Sequence, residues 1–160
     1  ATGAGLEELT RGADVISLGA TKNGAFGAEA VVVRNPEAVS GIQYLNKSLL
    51  QLPSKARFIS AQLLALFDGD LWLRNAEHAN AQAAKLAKGL IEAGFSVPVK
   101  TQANAVIASI EPDVVERVLS QGVIFYAWPF VENGIRLMTA WDTPDSAIDE
   151  LISTFVAARG

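Results

Sequence analysis

In the segment Asp14-Val15-Ile16-Ser17-Leu18-Gly19-Ala20-Thr21-Lys22-Asn23-Gly24-Ala25-Phe26-Gly27, an apolar strand runs into a loop of small residues that carries a single lysine. Asp14 to Leu18 has the apolar run of a short strand, whereas Gly19 to Gly27 holds too many small residues for any regular element. Glu29 to Arg34 follows with Val31-Val32-Val33, a β-branched run suited to a buried strand, and Asn35-Pro36 closes it. The loop is too short for a parallel crossover, which needs about a dozen residues or more, so the two strands are expected to pair antiparallel. Ahead of them, residues 6 to 12 read as a short helical turn.

Further along, residues 38 to 51 read as partly helical, with Pro53 interrupting. Ala56 to Phe67 is apolar nearly all round, as in a helix buried in a larger body or at a subunit contact. Asp68-Gly69-Asp70 breaks it, with Asp70 placed to cap the next helix. There Trp72, Ala76, Ala79, Ala83, Leu86 and Leu90 form one amphipathic stripe, which Gly94 ends. Beyond Gly94 the elements shorten. Ala105 to Ile110 reads as a strand, and Pro112 opens a helix that stops at Gly122. Val123 to Trp128 and Ile135 to Trp141 are further strands, the second after an Asn133-Gly134 turn. Thr143-Pro144 caps a last helix through Ile148, Leu151, Ile152, Phe155 and Val156. This order describes an α+β sandwich, a mostly antiparallel sheet with helices on one face. The expected division is 1–69, the end of a larger α/β body, followed by 70–160, a small α+β domain.

Composition narrows the function classes. Of 160 residues, 50% are hydrophobic and 19% charged, and the mean hydropathy is +0.25, which excludes a disordered segment. A net charge of -4 without a Lys/Arg cluster makes a poor nucleic-acid binder. With no cysteine and only His78, neither a disulfide framework nor a metal site is expected. The longest apolar runs fall short of the roughly 20 residues of a membrane helix, and no basic-then-apolar signal segment is expected from these residues.

Lys22 is the first candidate for chemistry. Strand ends are where α/β enzymes place reactive groups, and a lysine desolvated there can serve as an amine nucleophile. The loop is not of the G-x-x-x-x-G-K-[ST] phosphate type, because Asn23 follows the lysine and the glycine spacing fails. Composition alone favours a solvated turn lysine. Arg136 is the second candidate. It shares a strand face with Met138 and Ala140, opposite Ile135, Leu137, Thr139 and Trp141. An arginine so placed either pairs with a carboxylate, of a side chain or a ligand, or snorkels to water at the sheet margin. His78 lies off its helix's apolar stripe and reads as solvated; Lys85, Lys88 and Glu92 decorate an exposed face. Trp72, Trp128 and Trp141 read as core.

The segment Asp14 to Ala25 resembles the lysine segment of the low-specificity threonine aldolases, pyridoxal-phosphate (PLP) enzymes of the aspartate-aminotransferase fold and the β-eliminating lyase group. The likeness continues through Glu29-Ala30-Val31-Val32-Val33, Ser54 to Gln62 and Leu71 to Asn80, and ends at Ile135-Arg136-Leu137-Met138-Thr139-Ala140-Trp141-Asp142-Thr143. It covers nearly the whole chain in the family's order.

The resemblance implies an α/β fold of PLP fold-type I, with the end of the large PLP-binding domain in 1–69 and the small C-terminal domain in 70–160. It makes Lys22 the Schiff-base lysine and Arg136 the residue that holds the substrate α-carboxylate through a bidentate pair. Lys47 would approach the cofactor or substrate region, and Thr21 would lie near the phosphate. The implied reaction is cleavage of L-threonine or L-allo-threonine to glycine and acetaldehyde, by a cytoplasmic homo-oligomer, dimer or tetramer. Two alternatives stand beside it: another PLP-dependent lyase, such as a phenylserine aldolase, and a truncated domain acting only in assembly. Ser54 stands where some members have an arginine. The family's phosphate-holding turn, ring-stacking histidine and Asp-Gly-Ala-Arg motif precede the lysine segment, and Ala1-Thr2-Gly3-Ala4-Gly5 resembles the stretch just after that motif. The chain is therefore expected to be the C-terminal portion of a longer enzyme and inactive in isolation.

Overall fold

In the computed structural model, which describes residues 1–160, the lysine segment is a β-hairpin. A single helical turn, α1 (Leu6–Leu9), precedes it. Strands β1 (Val15–Gly19) and β2 (Glu29–Val33) pair antiparallel in a register that sets Ile16 against Val32 and Gly19 against Glu29. Helices α2 (Ile42–Ser48) and α3 (Ala56–Phe67) follow, Pro53 lying between them. The chain divides into two units, Thr2–Leu73 and Arg74–Gly160. The division falls beyond Gly69, in the first turn of α4 (Leu71–Glu92).

The first unit buries little. Its core is Ala20, Ala28 and Leu66, with Ile59, Leu63, Phe67 and Trp72 packed around them. The valine run of β2 is not buried as expected: Val31 is 62% exposed and Val32 39%. A two-stranded ribbon has no neighbouring strands, and α2 and α3 stand off from Val31 across an open groove instead of packing on it. In α3 only Leu66 is buried, while Phe58 and Leu64 are exposed. Asp70 does precede α4, but at a left-handed φ of 60° rather than the extended backbone usual for an N-cap.

The second unit closes a true core. Its sheet has the order β3-β5-β4, all antiparallel, from β3 (Ala105–Ser109), β4 (Tyr126–Ala127) and β5 (Gly134–Met138). Helices α5 (Pro112–Ser120) and α6 (Asp145–Arg159) join α4 in covering it. Leu86 and Leu90 of α4, Val106 and Ala108 of β3, Val114 and Val118 of α5, Ile135 and Leu137 of β5 and Phe155 of α6 meet in one cluster. Gly94 and Phe95 end α4 by donating their amides to the carbonyls of Ile91 and Leu90, both at 2.9 Å, as in a Schellman motif. Two expected strands come out shorter: β4 has only two residues, and β5 stops at Met138. Thr143 does not cap α6, because its hydroxyl oxygen accepts the Ala140 amide at 2.8 Å.

Ionic contacts reinforce α4 against α6. Lys85 pairs with Asp149 at 2.7 Å and Asp145 at 3.5 Å, and Gln82 donates to Asp145 at 2.8 Å. The Gln82 hydrogen bond and the Lys85 charge hold the Asp145 carboxyl below its ordinary value of 3.8. His78 is exposed but not merely solvated, since its Nε2 lies 2.7 Å from the Thr143 carbonyl. No helix is long and apolar enough to cross a membrane.

Candidate active site

Lys22 stands in the middle of a 3-10 turn, Thr21–Asn23, directly after β1. The Ala20 amide donates to the Ala28 carbonyl at 2.9 Å, and the Ala20 carbonyl accepts from Asn23 at 2.9 Å and Ala25 at 3.2 Å. Gly24 ends the turn at φ 104°, a conformation that a side chain would strain. Beneath the turn, Ala20 and Ala28 are buried against the α3 side chains. Asn23 Nδ2 donates to the Trp72 carbonyl at 3.1 Å, fixing the turn to the start of α4 within the same unit. Lys22 itself is exposed and takes part in no ion pair or side-chain hydrogen bond. The turn fixes the base of this amine, whereas the desolvation that activates a lysine nucleophile is not supplied within this chain.

Thr21 shares the turn, and its hydroxyl donates to Glu29 Oε1 at 2.5 Å. Glu29 was not among the expected residues. Only the strand register, which sets it opposite Gly19, brings it there. Lys47 is exposed in the last turn of α2. A groove of about 710 Å³ between the hairpin and helices α2 and α3 is lined by Gln43 and Asn46, but neither Lys22 nor Lys47 lines it.

In the second unit, Arg136 lies on the sheet face away from Ile135 and Leu137, and register sets it opposite Tyr126. Its guanidinium carbon is 5.5 Å from the Tyr126 ring centre and 5.6 Å from that of Trp128. Its Nε is buried without a hydrogen-bond partner. Trp128 is thus not core as expected but flanks the arginine, and Trp141, beyond the end of β5, is 42% exposed. Trp72 does pack on the first unit's core. Tyr126 went unrecognised in the sequence; the alternation Tyr126, Trp128, Phe130 is the signal that could have marked an aromatic strand face.

This hairpin-borne lysine and this α+β sheet follow the fold of the type I PLP-dependent enzymes. A Leishmania major threonine aldolase structure superposes with a TM-score of 0.86 at 22% identity, covering 98% of this chain and 46% of that one. Two structures of SPT with PLP superpose with a TM-score of 0.61 at 16% identity over 91% of this chain and 39% of theirs. By sequence, the chain is similar to proteins named low-specificity L-threonine aldolase. It is 35% identical to that of Pseudomonas aeruginosa over 141 residues, 88% of this chain and 40% of the relative. It is 34% identical over 148 residues to that of a Pseudomonas species, covering 90% and 42% respectively. The chain thus spans less than half the length of the curated relatives it matches. No protein-family profile matches it.

Proposed function

We propose that this chain contributes the cofactor lysine and the carboxylate-binding arginine of a PLP-dependent aldolase that cleaves L-threonine or L-allo-threonine to glycine and acetaldehyde. The observation that carries this reading is the 35% identity to a low-specificity L-threonine aldolase over 141 residues. In a chain of 160 residues, a stretch of that length takes in both Lys22 and Arg136 wherever it begins.

The residues present fit the cofactor at one point, the unpaired Lys22 amine on its fixed turn. Lys22 would hold the cofactor aldehyde covalently and give it up to the amine of the incoming amino acid. When bound, PLP supplies an electron sink for the charge left on Cα as the Cα–Cβ bond breaks. Arg136 would grip the α-carboxylate through two parallel N–H bonds, which fixes the orientation of the substituents on Cα. Thr21 would stand near the phosphate only after leaving the Glu29 carboxylate that it now meets, since two anions compete for one hydroxyl. Lys47 would act toward the cofactor or substrate region. We take the enzyme to be a cytoplasmic homo-oligomer, dimer or tetramer; the exposed apolar residues of α2 and α3 call for a cover, from another copy or from the remainder of the enzyme. The isolated chain is proposed to be inactive.

Lys22→Ala is the test. In the protein carrying this chain, it should abolish both the visible absorbance that PLP shows when joined to a lysine and the release of glycine from threonine. Retention of both would overturn the reading.

A further inference from the structure

We infer that Tyr126 and Trp128 are positioning residues for Arg136, clamping its guanidinium so that its N–H groups face a carboxylate ligand as a fixed fork. The inference rests on Arg136 as the carboxylate-binding residue. Antiparallel pairing sets Tyr126 directly across from Arg136, and Trp128, two residues on, falls on the same face of β4 and its continuation. That face is opposite the one from which Ile135 and Leu137 enter the core.

The two ring centres lie almost equally far from the guanidinium carbon, at 5.5 and 5.6 Å, inside the roughly 6 Å range of a cation–π contact. No Asp or Glu of the chain forms an ion pair with Arg136. Its positive charge is therefore met by π faces alone, which take up none of its directed donors. Buried donors are nearly always hydrogen-bonded, yet Nε of Arg136 is buried and has no partner within the chain, so the rings leave a directed donor of this cation unspent. Tyr126 is 68% exposed, so its ring adds little to any core, and its visible contact is with the arginine.

The hairpin holds the second ring in place. The Trp128 amide donates to the Gly134 carbonyl at 2.7 Å, and the Gly134 amide to the Val131 carbonyl at 2.9 Å. A side chain at Gly134 would collide with the carbonyl oxygens of Trp128 and Val131, so this close return requires glycine. Phe130 meets Trp128 edge-on, with ring centres 5.4 Å apart at 69°.

The test follows the Arg136 Nε–Hε signal by NMR in the 15N-labelled, PLP-loaded protein that carries this chain, during titration with glycine. In the parent, ring currents should displace this signal and glycine should move it further. Tyr126→Leu and Trp128→Leu should each abolish part of the displacement and weaken glycine binding about threefold, while Tyr126→Phe and Trp128→Phe should restore both. A purely structural role would not be rescued at the level of the Arg136 signal. If the Leu variants bind glycine as tightly as the parent while the signal still moves, the clamp is refuted and the carboxylate reading stands. If glycine leaves the parent's Arg136 signal unmoved, the carboxylate reading fails and the clamp with it.

Discussion

Arg74–Gly160 closes fifteen hydrophobic residues into one core, whereas Thr2–Leu73 buries only Ala20, Ala28 and Leu66. The first unit is not short of apolar residues: Leu49, Leu50, Leu52, Phe58 and Leu64 are all more than half exposed. What differs is topology. The second unit has a three-stranded sheet that α4, α5 and α6 can cover, and each helix turns an apolar stripe to it. The first has a two-stranded ribbon, which cannot cover its own faces or those of α3. A self-sufficient core thus carries the arginine, while the lysine sits on a turn that is locally rigid within a sparsely buried unit.

The contrast is broken most severely by a cavity in the larger core. Phe155 is fully buried and touches Phe95 and Phe125, with ring centres 5.9 and 6.1 Å away. Phe155→Ala should cost about 3–5 kcal/mol, read as a fall in the urea midpoint for unfolding of Arg74–Gly160. The same denaturation curves should show a much smaller loss for Leu66→Ala, whose few neighbours can collapse around it. Equal losses would mean that the two units do not differ in the way described.

Arg136→Lys sharpens the functional side of the contrast. A point charge cannot reproduce the planar fork, and one charge-assisted hydrogen bond is worth roughly 1.5–3 kcal/mol. In the protein carrying this chain, KM for threonine should rise about tenfold or more, at 1.36 kcal/mol per decade, with PLP affinity unchanged. An unaltered KM would move the carboxylate site elsewhere.

The smallest effect is electrostatic. Because the Asp145 carboxyl is held below 3.8 in the folded chain, first by Gln82 and then by Lys85, the unfolded chain takes up the proton more readily. The stabilisation is therefore present above the ordinary carboxylate range and is lost as pH falls through and below it. Asp145→Asn should lower stability slightly near neutrality and flatten the part of the acid-unfolding curve that this group contributes. An identical curve for the variant would remove Asp145 from the account.

Where local pattern and burial agree, the sequence was legible. Ala79, Ala83, Leu86 and Leu90 are the buried face of α4, and Pro112 and Gly122 bound α5 because one presets the helical backbone and the other leaves it. The Lys22 turn was legible too, since strand, small residues and lysine are contiguous. What escaped depends on pairing across the chain. Glu29 meets Thr21, and Tyr126 meets Arg136, only through strand register, which local composition does not encode. The exposure of Val31 and Val32 escaped as well, because a β-branched run states a preference for burial but not what lies over it.

We propose Lys22 as the lysine that binds the cofactor. Borohydride reduction of the PLP-loaded protein, followed by peptide mass mapping, reads this directly by fixing the pyridoxyl group to the amine that held it. The account predicts the added mass on the peptide containing Thr21-Lys22-Asn23, with Lys47 unmodified. Stoichiometric label on Lys47 or any other lysine, with Lys22 unmodified, would contradict it.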